Sequence, residues 1–147
     1  MQCQIQTTTD MEKELTKLIE NHRTLLSKIN NFLDTDYTDV DWAITQLTQH
    51  PQYVEFVRDN ADLMDWKLLS SDGELSESFM REFADRLDWT NISTFQYLSE
   101  PFMREFADRL DLDVAIEQNW EHVSDDFIAD YYHQNNWSNA ELETILN

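Results

Sequence analysis

The chain of 147 residues contains one glycine, two prolines and one cysteine. With Gly73 as the only glycine, the sequence has no Asn-Gly turns to close hairpins and no glycine-rich loop to cradle a phosphate. Helix is what remains when that punctuation is missing. Cys3 has no second cysteine to pair with, which excludes an internal disulfide and fits a reducing compartment. The opening MQCQIQTTTD lacks the basic and apolar regions of a signal peptide, and no apolar run approaches a membrane span. The expectation is a cytoplasmic protein with no membrane partner.

Bases are the other shortage. Ten Lys and Arg face thirty Asp and Glu, for a net charge of −20. The imbalance is local. Residues 1–32 hold Asp10, Glu12, Glu14 and Glu20 against Lys13, Lys17, Arg23 and Lys28, so the whole excess lies beyond them. Such a field repels nucleic acid and attracts basic protein surfaces. Hydrophobic residues at 41% nevertheless supply enough bulk for a packed core, which argues against disorder.

Two segments are expected. Residues 1–35 read as one amphipathic helix, with Thr9 or Asp10 as its cap and Met11, Leu15, Leu18, His22, Leu25, Ile29 and Phe32 recurring every four and three positions. Ile19, Leu26 and Leu33 widen the stripe, which favours packing on a globular body, while its spacing also suits a homodimer through this helix. His22 reads as a hydrogen-bonded boundary histidine, since no second ligand-type residue shares its face.

Residues 36–147 are repetitive. FMREFADRLDW at Phe79–Trp89 and FMREFADRLDL at Phe102–Leu112 agree at ten of eleven positions with an offset of 23. FVRDNADLMDW at Phe56–Trp66 precedes them by the same interval. Units end near Trp66, Trp89, Leu112 and Trp137, followed by a terminal cap in which Ser138 and Glu141 have capping-box spacing. A period of 23–25 residues implies stacked supersecondary units, each too small to bury its own apolar face.

Within a unit, Ser76, Ser99 and Ser124 stand where helix caps belong, and Pro101 falls in a first turn. Phe79, Met80, Phe83, Ala84 and Leu87 predict one face of a three-turn helix, and Glu82 and Arg86 a four-residue ion pair on the other. Trp42, Trp66, Trp89 and Trp137 read as packing anchors, and Trp120, off that ruler, as more exposed. The fold class is all-α: a long N-terminal helix followed by stacked short helical repeats.

The stretches LSESFMREFADRLDWTNIS (Leu75–Ser93) and LSEPFMREFADRLDL (Leu98–Leu112) resemble a short tandem repeat of proteins from phages and large DNA viruses. The match covers two units well, two partly, and none of residues 1–40. It implies a viral repeat scaffold inside a host cell and brings no catalytic residues.

Catalysis is not expected, because no phosphate loop, nucleophile elbow or Cys–His arrangement is present. Nor is a cofactor. An EF-hand loop beginning at Asp34 would place Asp39 where glycine is needed and Thr45 where glutamate is needed. His122, Asp126, Asp130 and His133 have ligand-like spacing, but Ser124 interrupts their helix, so no metal is assigned.

The acids themselves are the candidate site. Asp65, Asp72, Glu74, Glu77, Asp88, Glu100, Asp111, Asp113, Glu117, Glu121, Asp125, Asp126 and Asp130 fall at caps and unit junctions. Recurring once per unit, they would form rows of negative charge resembling those of a duplex. In size and charge the chain is similar to acidic phage inhibitors that mimic DNA, and that resemblance of character implies a non-enzymatic phage or viral inhibitor that mimics nucleic acid on the basic surface of a host nucleic-acid-binding protein or nuclease complex, in an anti-CRISPR or anti-restriction role. A helical-repeat adaptor that binds protein through aromatic pockets is the alternative.

Overall fold

The structure, a computed structural model, describes residues 2–134 with Ala140 and Thr144, and only the backbone of residues 2–7. Among the described residues all regular structure is helical. The helices are α1 (Gln2–Leu33), α2 (Val40–Thr48), α3 (Tyr53–Asp59), α4 (Trp66–Asp72), α5 (Glu77–Glu82), α6 (Trp89–Phe95), α7 (Glu100–Glu105), α8 (Leu112–Gln118) and α9 (Asp125–Gln134), with a 3-10 turn at Trp120–His122. The expected order, one long helix and then short ones, is what forms. Trp137 and the cap around Ser138 and Glu141 lie outside the described residues.

Helix α1 begins at Gln2, so Thr9 and Asp10 lie inside it and cap nothing. No Gly or Pro stands before them to stop the helix, and glutamine is a good helix former. Its far end is firmly closed. Asp34 adopts φ 56, the Thr35 amide donates to the Asn30 carbonyl at 3.0 Å, and the Asn30 side chain clamps both amide and carbonyl of Tyr37.

The apolar stripe of α1 divides in two. Leu25 and Ile29 are fully buried, and Phe32 packs on Phe56 with ring centroids 4.9 Å apart. Met11, Leu15, Leu18 and Ile19 are exposed, so the expected packing on the body holds only for the second half. Length explains this: 32 residues of helix span about 48 Å, whereas α2, with nine, reaches about 14 Å.

By compactness the chain forms two units, Met1–Leu87 and Asp88–Asn147. The composition boundary near residue 35 and this one mark different properties. In the first unit α2 packs on α1, α3 and α4. The single glycine sits at a close approach: a Cβ on Gly73 would meet the Leu69 carbonyl oxygen at 2.8 Å and the Thr48 methyl at 3.0 Å. In the second unit α6 packs on α8 around Ile92, Phe102, Met103, Ala115, Ile116, Phe127 and Ile128, all buried.

The repeated stretch spells a helix, a turn and the cap of the next helix. The Ser76 hydroxyl accepts from the Phe79 amide to start α5, and Ser99 and Ser124 do the same for α7 and α9, as their spacing predicts. α5 then ends after six residues, with Phe83 as its C-cap, and the Arg86 and Leu87 amides fold back onto the Phe83 carbonyl. The expected three-turn helix is therefore two short pieces. Asp85 and Asp88 are poor helix-interior residues, and the turn lets Asp88 accept from the Asn91 amide at 3.0 Å to open α6. The Asp-Trp pair that reads as a closing signal is an opening one.

The turn also redirects the charges. Glu82 receives the Arg58 guanidinium at 2.7 and 3.1 Å, and Arg86 reaches Asp62 at 3.2 Å, so each pairs with the preceding repeat and not with the other. These pairs are exposed and screened by solvent, so they add little to stability. The stronger junction is aromatic. Trp66 lies on Phe83 at 5.3 Å with Arg86 over its ring at 5.7 Å. Trp89 lies on Phe106 at 4.9 Å with Arg109 over it at 5.8 Å.

Trp42 is not an anchor: it is 56% exposed. The repeat register explains the correction, because Asn60 and Leu63 stand where Phe83 and Arg86 stand one unit later. The shelf and the lid are both missing. Replacing Phe102 by alanine is thus expected to cost about 3–5 kcal/mol in urea unfolding. Trp42→Ala should cost less than about 1 kcal/mol; equal losses would contradict the anchor assignment.

Candidate functional site: an acidic face beside aromatic rings

The thirteen candidate acids divide by what their oxygens do. Asp65, Asp88 and Asp111 are N-caps of α4, α6 and α8, accepting from the Leu68, Asn91 and Val114 amides. Asp65 also lies 2.7 Å from His22 Nε2, which gives that histidine the hydrogen-bonded role its sequence position predicts. Glu77 sits in the first turn of α5 with Arg81 at 3.9 Å. Glu100, in the first turn of α7, accepts from the Ser124 backbone amide, and that bond holds its carboxyl below the ordinary range. Asp72 accepts from the Ser71 hydroxyl at 2.8 Å, and Asp130 pairs with Arg104 at 3.2 Å. These seven acids build or brace helices.

The other six are Glu74, Asp113, Glu117, Glu121, Asp125 and Asp126, all exposed. Five of them fall between Asp113 and Asp126, in the second unit. Asp113 and Glu117 are one helical turn apart on α8 and act on the two tyrosines of α9. Burial pushes the Tyr131 phenol above its usual value, and the charge and hydrogen bond of Asp113 push it further. Tyr132 is raised by burial first and then by Asp113 and Glu117. A groove of about 420 Å³ lies here, lined by Asp113, Ile116, Glu117, Trp120 and Tyr132.

This combination suits one kind of guest. Two carboxylates can accept charge-assisted hydrogen bonds, and two aromatic residues whose rings attract cations, Trp120 and Tyr132, line the same groove. A guanidinium or ammonium group carried by a partner satisfies both. Sequence reasoning names the acids and predicts an exposed Trp120, which is 42% exposed. It missed Tyr132 as a groove wall. The signal was there in Asp113, Glu117 and Trp120 at spacings of four and three, the period of one helix face.

Elsewhere the acids crowd without such walls. In the first unit Asp41 is raised by burial and then by Asp39 and Asp72, with His22 acting in the opposite direction. Among the described residues no three His, Cys, Asp or Glu side chains are grouped to hold a metal ion. His122 lies in the 3-10 turn ahead of the Ser124 cap, while Asp130 is engaged by Arg104. No described helix is long and apolar enough to cross a membrane.

Comparison with protein-family models, curated proteins and solved structures finds no match for this chain.

The tyrosines report the field of this face. Their folded-state pKa values are raised, so their contribution to stability is complete below about pH 10 and is lost as pH rises through the folded values. In Asp113→Asn the phenolate absorbance should appear at lower pH than in the parent, though still above an unburied tyrosine because burial remains. An unchanged titration would separate Asp113 from both rings.

Proposed function

We propose that the chain is a non-enzymatic binding protein whose acidic second unit occupies the basic surface on which another protein holds nucleic acid. The observation that carries this reading is the run from Leu110 to Gln134: seven acids and no Lys or Arg. Residues 88–147 hold thirteen acids against Arg104 and Arg109. Arg104 is spent on Asp130 and on the Phe127 ring at 4.7 Å, and Arg109 lies over Trp89, so neither cation lies among the five acids from Asp113 to Asp126.

The finer reading is an inhibitor that displaces DNA or RNA from a host defence complex, in an anti-CRISPR or anti-restriction role within the host cytoplasm. Two features support it: the net charge lies wholly beyond residue 32 and is not spread evenly, and the repeat resembles those of phage and viral proteins. Binding through such a face gains much of its on-rate from long-range attraction, so it weakens steeply with salt.

The alternative is a repeat adaptor without mimicry, and exposed rings favour it. Trp42, Phe95 and Tyr97 are 56%, 57% and 80% exposed. An adaptor using them would bind with little dependence on salt. A homodimer through α1 is compatible with either, since Met11, Leu15 and Leu18 keep heptad spacing on an exposed face of a helix with balanced charge.

Host lysate passed over immobilised protein separates the two readings. Mimicry predicts a nucleic-acid-binding partner that is released by duplex DNA at low salt. Partners that ignore both DNA and salt would overturn mimicry in favour of the adaptor. Independently, Leu15→Glu with Leu18→Glu should halve the mass in sedimentation if α1 pairs two copies.

A further inference from the structure

The repeat places an indole at the start of α4 and of α6, and then omits it. Trp66 and Trp89 are the first residues of those helices, and the equivalent first residue of α8 is Leu112. What surrounds the missing ring is intact. Around Trp89 stand Phe102, Phe106 and Arg109. Twenty-five residues further on, those three positions are Phe127, Tyr131 and Gln134. All three line a cavity of about 220 Å³ together with Met103, Ala107 and Leu112.

The polar end of the site is repeated as well. In the first unit Trp66 Nε1 donates to the Ala61 carbonyl oxygen at 3.0 Å. Ala107 is the same residue two repeats later, and it lines the cavity. Arg104 and Asp130, joined at 3.2 Å, close one side, and Gln134 takes the place of the arginine that lies over the ring in the earlier units. The shelf residues, Ala107 and a polar side chain at the lid position all line the cavity, and Leu112, smaller than an indole, stands at the position of the ring.

We propose that this cavity is a binding slot for an indole ring, occupied by a tryptophan side chain of a partner protein. An apolar cavity of about 150 Å³ is enough to hold a benzene ring, so the volume suffices when Leu112 shifts modestly. The slot adds what a plain cavity lacks: aromatic residues Phe127 and Tyr131 in its lining for offset stacking and, by the repeat register, Ala107 in the place of the residue whose carbonyl accepts the Trp66 ring N–H. That pairing selects indole over phenyl. The proposal is independent of the acidic face, since it rests on the repeat register and not on charge.

The test uses the whole chain with N-acetyltryptophanamide as the probe, read by the Met103 methyl resonance. Saturable movement of that methyl is expected, with the phenylalanine analogue binding at least about tenfold more weakly. Leu112→Trp supplies the ring internally, so it should raise Tm and weaken the probe by about tenfold or more. No saturable shift, or equal binding by the parent and Leu112→Trp, overturns the proposal. Should Leu112→Trp fail to fold, Leu112→Phe carries the same test: it fills the slot in part and should reduce probe binding, and undiminished binding overturns the slot.

Discussion

Most of this fold depends on side-chain oxygens that accept from helix amides. A helix leaves its first four amides without internal partners. For helices of six or seven residues, such as α4 to α8, that is more than half of the donors they have. Asp39, Asp65, Asp88 and Asp111 each supply a carboxylate oxygen, and Ser76, Ser99 and Ser124 each supply a hydroxyl. A cap of this kind is worth about 1 kcal/mol. Without them the repeat would have no reason to break into helices at these positions. The ring junctions then hold successive helices together: Trp66 on Phe83 in the first unit and Trp89 on Phe106 in the second.

That requirement sorts the protein's charge. Part of the acid content is architectural, because aspartate is among the best caps available and negative charge favours the first turn of a helix. Asp65, Asp88 and Asp111 belong to the fold, and reversing their charge would remove a cap as well as a field. Of the carboxylates from Asp113 to Asp126, Asp113, Asp125 and Asp126 also fall in first turns, but all five are exposed, none is an N-cap, and Asp113 and Glu117 share a groove with Trp120 and Tyr132. A binding face made of residues that do not cap can vary while the scaffold stays the same.

Much of this was legible in the sequence, and the exceptions have physical causes. Serine followed by glutamate and an apolar pair marked the starts of α5 and α7, and the scarcity of glycine marked the fold class. The break at Phe83 was hidden because Phe79, Phe83 and Leu87 keep helical spacing through it, and Glu82 and Arg86 keep pairing distance. Their real partners, Arg58 and Asp62, lie 24 residues away in each case, so only the repeat offset could have suggested them. The exposure of Trp42 was written in Asn60, which stands where its phenylalanine shelf should be. The reach of the body along α1 was not legible, since an apolar stripe does not say how much surface exists to cover it.

If the exposed acids bind while the capping acids fold, the two roles separate by mutation. Glu117 and Glu121 cap nothing, so the most direct measurement is partner retention by the Glu117→Lys, Glu121→Lys double variant, alongside its thermal melt. Loss of the DNA-displaceable partner, with a Tm close to that of the parent, is the expected result. Full retention at the same salt would contradict it and leave the acidic face as a solvated surface.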